Sequence, residues 1–168
     1  MRNSITVFCL LAVAQMLICN YLHVSLYLTL SILPVLILCL PLSINTFKAL
    51  LIAFATGFFV DFTAEGVLGL NIISLLPVAL VRRRLCLAIF GEDMESRGED
   101  FSMQKYGPVK VMFAVAVSLY IFLFFYIWAD GGSIRPLSFN LIRFGVSFAA
   151  GMVVCVPLAD MLTKERRR

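Results

Sequence analysis

Two acidic side chains lie within an apolar part of this chain, and their chemistry is the first question that the sequence raises. The stretch from Gly57 to Asn71 reads GFFVDFTAEGVLGLN and carries Asp61 and Glu65. Residues four apart share one face of a helix, so both acids continue a line of small residues on that face. The members of that line are Ala49, Ala53 and Gly57. An acid in this setting indicates either a proton or ion site or a polar anchor for a neighbouring helix.

The small residues favour the second interpretation. In lipid, helices approach closely where their side chains are small, because association there depends on packing. Asp61 also lies near the end of its apolar run, where ionisation costs less than at the bilayer centre. No other apolar run carries a deeply placed acid. We therefore expect Asp61 to serve helix packing or partner docking rather than ion coupling.

A carboxylate at the C-terminal end of a helix opposes the helix dipole, so Asp61 needs a further stabiliser. One candidate is the first turn of the following helix, whose free N–H groups Asp61 or Thr63 could cap. The other is Arg143, just inside the sixth apolar run. We hypothesise that the third and sixth runs pack together, with Asp61 and Arg143 as an ion pair. The sixth run also has small-residue pairs, which are Gly145 with Ala149 and Ser147 with Gly151.

Three more residues shape the turn after Asp61. Gly66 and Gly69 allow a tight turn and a close approach of the next helix. Asn71 carries an amide that can hydrogen-bond between helices. The predicted packing or partner-docking motif therefore comprises Gly57, Asp61, Glu65, Gly66, Gly69 and Asn71.

Residue types that enzymes require are scarce. His23 is the only histidine, and no GxSxG or phosphate-binding GxxxxGK[ST] motif is present. The five cysteines are scattered through apolar runs without CxxC spacing, which is typical of small buried hydrophobes. We predict no catalytic residue, no cofactor and no metal site, and no nucleic-acid partner.

The elements that must position these residues follow from composition. Of 168 residues, 61% are hydrophobic and 14% charged, too few charges for a water-soluble surface. Apolar runs approach the roughly 20 residues that cross a bilayer. We predict an all-α, polytopic membrane helix bundle in one domain, 1–168. Its six predicted spans lie near 5–19, 24–42, 46–62, 67–81, 109–128 and 139–162, with a cytoplasmic loop at 82–108. The fourth span is short, and losing it leaves a five-span alternative.

Charge placement orients the predicted bundle. All but two of the 14 basic residues fall on one side of a six-span arrangement, and the exceptions are Arg135 and Arg143. Basic residues accumulate on the cytoplasmic side of membrane proteins, so both termini are predicted to be cytoplasmic. Tyr126 and Trp128 at the other end of the fifth span are typical of an interfacial aromatic belt. The acidic stretch 91–100 is interpreted as a solvated part of the cytoplasmic loop.

The segment GFFVDFTAEGVLG resembles the bacterial rod shape-determining protein MreD family, in which Gly57-x-x-x-Asp61 is followed by Gly66 and Gly69. Chain length, near-complete membrane character and the basic tail KERRR are also similar to that family. The loop GEDMESRGEDFSMQKYGP matches no motif of the family. The resemblance brings no catalytic residues with it.

The resemblance implies a non-catalytic subunit of the cell-elongation (rod) complex in the bacterial cytoplasmic (inner) membrane. Such a subunit would scaffold peptidoglycan synthesis and determine cell shape. Its implied partners, besides the lipid bilayer, are MreC, MreB, RodA and a class B penicillin-binding protein. The family is also similar in fold to the substrate-binding subunits of energy-coupling vitamin transporters. A small-solute-binding transporter subunit is therefore the alternative function.

Overall fold

The residues that the structure describes are mainly helical. A computed structural model describes residues 10–15, 28–41, 43–65, 68–91, 107–131 and 135–165. Within them lie six helices: α1 (10–15), α2 (Leu33–Leu38), α3 (Thr46–Val60), α4 (Leu70–Phe90), α5 (Pro108–Ala129) and α6 (Leu137–Glu165). A single π-helical turn, Asp61–Glu65, continues α3. These residues contain no strand, which confirms the all-α prediction.

Among the described residues, three helices are long and apolar enough to cross a membrane. They are the segments Thr46–Thr63, Pro108–Ala129 and Leu137–Leu162. The 21-residue α4 has similar length but carries three consecutive arginines, Arg82 to Arg84, in its second half. Many large apolar side chains of α3 and α6 face outward, including Phe47 at 73% exposure and Val153 at 74%. Such surfaces are unfavourable in water, so these helices indicate a membrane protein.

The structure differs from the predicted spans in two places. The predicted second span, 24–42, is not one helix in its described part: residues 28–32 are non-helical and α2 covers only Leu33–Leu38. The predicted fourth span ends too early, because α4 runs through the predicted start of the 82–108 loop to Phe90. Cys86 and Phe90 are buried in the core, and this packing continues the helix beyond the arginines. The helix ends at Gly91, whose φ of 88° favours glycine.

Helix α4 is the centre of the bundle. It packs against α3 on one side and against α5 on the other, and α6 packs against α5. The short α2 fills the space beside α4 and α5, and all six of its residues are buried. The hypothesis that the third and sixth spans pack together is therefore wrong. The principal neighbour of α3 is the helix that follows it in the chain.

Several predicted features lie outside the described residues. These are most of the first span 5–19, Gly66, the acidic stretch 92–100 and the basic tail 166–168. The Glu65 side chain is outside the description as well.

Candidate functional site

The carboxylate of Asp61 binds the first turn of α4. Asp61 is fully buried, at 0% exposure. Its Oδ1 accepts hydrogen bonds from the backbone N–H and the side-chain Nδ2 of Asn71, both at 2.9 Å. Its Oδ2 accepts from the backbone N–H of Gly69 at 2.9 Å and, more weakly, from that of Ile72 at 3.4 Å. One side chain thus satisfies three backbone donors and one amide.

This geometry explains how an ionisable group is tolerated in an apolar bundle. The first N–H groups of a helix have no acceptor within the helix, and the helix dipole places positive charge there. Asp61 supplies the acceptors and the negative charge from the preceding helix. Of the two stabilisers that the sequence allowed, the structure contains the cap on the following helix. Thr63 takes no part in it, because its hydroxyl donates to the Phe59 carbonyl of its own helix at 2.6 Å.

Gly57 permits the close approach on which this cap depends. A Cβ placed on Gly57 would lie 2.9 Å from the Ile72 backbone nitrogen and 3.0 Å from its Cα. The first distance is too short for a real Cβ atom and the second is tighter than nearly all Cβ contacts, so α4 begins in direct contact with the α3 backbone. Ala49 and Ala53, one and two turns earlier, are buried at 1% and 0% exposure. The small-residue line of α3 is therefore buried, and at Gly57 it is in contact with α4.

Gly69 has a conformational role at the start of α4. It is the residue immediately before the helix, and its φ is 104°, a left-handed conformation that side chains with a Cβ rarely adopt. In this conformation its N–H points at Asp61 Oδ2. Gly57, Asp61, Gly69 and Asn71 therefore act together as one helix–helix junction, which we call the α3–α4 junction.

The predicted Asp61–Arg143 ion pair is not present. Arg143 is buried, its Nη1 pairs with an Asp130 carboxylate oxygen, and its Nε donates to the Thr29 hydroxyl at 3.1 Å. Its guanidinium lies 6.0 Å from the centre of the Tyr126 ring. The physical reason is the packing order: α6 lies against α5, so the acid within reach of Arg143 is the one that follows α5.

One face of α6 holds the non-helical segment 28–32. The Ser147 hydroxyl accepts the backbone N–H of Thr29 at 2.9 Å, and Cys155 Sγ lies 3.5 Å from the Ser31 carbonyl oxygen. Between them, Gly151 meets α5 closely, since a Cβ there would lie 2.7 Å from Leu119 Cδ2. The Ser147 and Gly151 pair is thus a packing surface.

The other small-residue pair on α6 is not packed against the part of the chain that the structure describes. Gly145 and Ala149 are exposed, and a Cβ on Gly145 would have no neighbour within 4 Å. The sequence pattern was equally good for both pairs. Only the position of α5 distinguishes them.

Gln15 satisfies the same non-helical segment from the side of α1. This buried side chain accepts the Ile32 N–H at 2.7 Å and donates to the Leu30 carbonyl at 3.3 Å. Backbone that is not helical needs such partners inside an apolar bundle, because no water is there to replace them. The sequence patterns described above did not predict this site. The available signal was Gln15 itself, an amide within the first apolar run.

Arg82 stabilises the C-terminal end of α2. It is 2% exposed, and it donates to the carbonyl oxygens of Leu38 at 3.3 Å and Pro41 at 2.7 Å, and also to that of Leu40. The last carbonyl groups of a helix lack internal donors and lie at the negative end of its dipole, where a cation is favourable. Arg82 therefore binds the C-terminal end of α2, as Asp61 binds the N-terminal end of α4.

The buried charged residues thus have structural partners. Asp61 and Arg82 bind helix ends, and Arg143 forms an ion pair with Asp130. The described residues contain no group of three or more His, Cys, Asp or Glu side chains that could hold a metal ion. The class of protein that the fold and the site define is a helical bundle with polar junctions between its helices, three of which are apolar enough to cross a membrane. Comparisons with protein-family models, with curated proteins and with solved structures find no match to the chain.

Proposed function

We propose that the chain is a non-catalytic membrane subunit of the bacterial cell-elongation complex, of the MreD type, and that it scaffolds peptidoglycan synthesis. The observation that carries this proposal is the α3–α4 junction. The residues of the MreD-like motif that the structure describes are used to join two helices, and Asp61 is committed to four hydrogen bonds. A carboxylate with these partners supports a structural role and disfavours proton transfer.

The other buried charges support the same proposal. Arg82 is occupied by backbone carbonyl groups, and Arg143 is paired with Asp130. Outside the bundle, α3 and α6 present long apolar faces. A protein with its polar groups turned inward and apolar faces turned outward is suited to bind other helices within the membrane. Such a subunit would act by binding preferentially to one arrangement of its partners.

The proposal includes a topology and a set of partners. We propose six spans with both termini in the cytoplasm, in the cytoplasmic (inner) membrane. The partners would be MreC, MreB, RodA and a class B penicillin-binding protein. The distribution of basic residues along the sequence supports this orientation.

Native mass spectrometry of the tagged protein, purified gently from its host, tests the proposal. We expect to recover a periplasmic subunit of the rod complex or a wall polymerase. Substituting an outward-facing residue of α3 by arginine, as in Phe58→Arg, should remove a partner that binds this face while the bundle stays folded. The matched change Val153→Arg on α6 shows which face is used. Recovery of an ATPase pair with a bound vitamin-sized solute would overturn the scaffold proposal.

The alternative, a small-solute-binding subunit of a transporter, is favoured by one specific observation. Residues 28–32 are non-helical and lie between α1 and α6, and their backbone bonds to polar side chains. In many transporters, non-helical backbone at membrane depth lines the substrate site. In the structure the segment is bonded to Gln15 and Ser147. We therefore place this function second, and the solute outcome of the same experiment decides for it.

A further inference from the structure

Two arginines share one carboxylate oxygen where α5 ends and α6 begins. Asp130 Oδ2 pairs with Arg143 Nη1, and it also lies 3.4 Å from Arg135 Nη1. Two positive charges therefore face a single negative charge. We call Asp130, Arg135 and Arg143 the arginine cluster.

The buried arginine of this cluster, Arg143, has N–H donors that no acceptor uses in the described residues. A guanidinium carries five N–H groups. In the part of the chain that the structure describes, Arg143 uses Nε to reach Thr29 and Nη1 to reach Asp130, and its Nη2 has no acceptor. Arg143 is only 8% exposed. Unpaired donors on a buried cation are costly, so a further acceptor at this position would be strongly favoured.

The second arginine is the accessible one. The side chain of Arg135 is 36% exposed, and its guanidinium lies over the Phe139 ring at 5.5 Å. Its contact with Asp130 is longer than that of Arg143. Arg135 can therefore contact a ligand from the solvent side while Arg143 donates from within the bundle.

The depth of the cluster indicates what it would meet. Trp128, two residues before Asp130, is 70% exposed at the end of α5. Exposed tryptophan at the end of a spanning helix is typical of the membrane–water interface, which is the level of lipid phosphates. The planar fork of arginine matches the geometry of a phosphate group.

We propose that the arginine cluster is an anion site that takes a phosphate group, either of a lipid headgroup or of a soluble phosphate. Arg143 and Arg135 are the donors, and Asp130 is the resident counter-ion that competes with the ligand. The proposal does not depend on the scaffold function.

The test uses the full-length protein, delipidated in detergent. Dimyristoyl phosphatidylglycerol, dimyristoyl phosphatidylcholine or inorganic phosphate is added, and binding is measured by native mass spectrometry and by the midpoint of thermal unfolding. The variants are Arg135→Gln and Asp130→Asn. Lys110→Gln is the matched control, because it removes the same charge from an exposed position at the opposite end of α5.

The proposed site predicts that the two variants change the affinity for phosphate in opposite directions. Arg135→Gln should weaken binding about tenfold, the loss of one charge-assisted contact, and Asp130→Asn should strengthen it because the competing carboxylate is gone. A purely structural ion pair predicts instead that neither change strengthens binding. Lys110→Gln should bind as the unchanged protein does.

The ligands distinguish the two sources of phosphate. Retention of phosphatidylglycerol without an effect of inorganic phosphate assigns the site to a lipid headgroup, and the reverse assigns it to a soluble phosphate. The proposal is overturned if none of the three ligands binds, if Asp130→Asn fails to strengthen binding, or if Lys110→Gln weakens it as much as Arg135→Gln does.

Discussion

Asp61 shows how a single residue can connect two helices in an apolar environment. Its carboxylate has no cation as partner among the described residues, and its charge is matched by N–H groups at the positive end of α4. The value of this residue lies in having two acceptor oxygens at one position. An amide of the same shape offers only one.

Asp61→Ala should therefore destabilise the protein strongly. The change leaves the N–H donors of the α4 first turn buried without acceptors, and we expect a loss of about 3 kcal/mol or more in the free energy of unfolding. Asp61→Asn should lose less, because one acceptor oxygen remains. Unfolding in mixed detergent micelles measures both. Thr63→Ala is the control and should cost well under half as much, since that hydroxyl bonds only within its own helix.

The partner of Arg143 can be tested by double-mutant cycles. Asp130→Asn and Arg143→Gln should show a coupling energy of about 1–3 kcal/mol, because the two side chains are in contact and largely buried. Asp61→Asn and Arg143→Gln should be additive within about 0.5 kcal/mol. Comparable coupling in both cycles would contradict the observed pairing.

At the residue scale, the sequence showed which polar side chains need a stabilising partner, but it did not identify that partner. It indicated that Asp61 requires a stabiliser and that Asn71 can bond between helices. It did not distinguish the α4 cap from Arg143, because helical periodicity specifies the face of a helix and not its neighbour. The role of Asp130 depends on the packing of α6 against α5, which no local pattern reports.

The helices are joined where small residues let their backbones approach. The clearest case is α3 with α4 at Gly57, where the added Cβ would meet backbone rather than a flexible side chain. A backbone cannot rotate away as a side chain can. The whole start of α4 would have to move.

Gly57→Ala should thus destabilise the bundle, by roughly 1–3 kcal/mol, as expected for overpacking. Gly145→Ala is the matched control on α6, where a Cβ has no neighbour within 4 Å. It should be neutral or slightly stabilising, because alanine favours helix more than glycine does. Thermal unfolding of the two variants in the same detergent is the measurement. Equal destabilisation by both would disprove close packing at Gly57 as the cause.

The end of α2 provides a second test at this scale. Arg82→Gln should lower the free energy of unfolding by about 2–4 kcal/mol, because buried carbonyl groups lose a charged donor. Arg84→Gln is the control, since Arg84 is exposed two residues later in the same helix, and it should cost less than about 0.5 kcal/mol. If the two variants behave alike, Arg82 does not hold α2.

Element boundaries were predictable where hydropathy changes sharply and not elsewhere. Helices α3, α5 and α6 coincide with apolar runs that polar residues terminate. In α4 the three arginines suggested an end, yet the helix continues because Arg82 is satisfied by α2 and the core resumes at Cys86. The non-helical residues 28–32 lie in an apolar run. Their non-helical conformation is explained only by their side-chain partners in α1 and α6.

For the whole molecule, composition alone indicated a helical membrane protein, and three long apolar helices agree with that class. The number of spans was harder to predict. Arginines within α4 and the shortness of α2 depart from the simple rule of one apolar run for each crossing. Packing, not length, determines which segments lie inside the bundle.

The proposed orientation makes one prediction about the entire chain. An epitope inserted after Gly131 should be accessible to antibody in intact spheroplasts, and an epitope after Arg168 only after permeabilisation, because α6 would cross the membrane between them. Both tags exposed on the same side would show that α6 does not cross. A reversed pattern would show that the charge bias does not set the orientation.

The α3–α4 junction also bears on how the protein enters the membrane. The backbone donors that bind Asp61 lie 8 to 11 residues further along the chain, so they emerge from the ribosome after it. Until they arrive, α3 carries an uncompensated acid that favours water over lipid. We therefore expect α3 to remain in the insertion machinery until α4 has formed its first turn, so that the two helices pass into the bilayer as one hairpin.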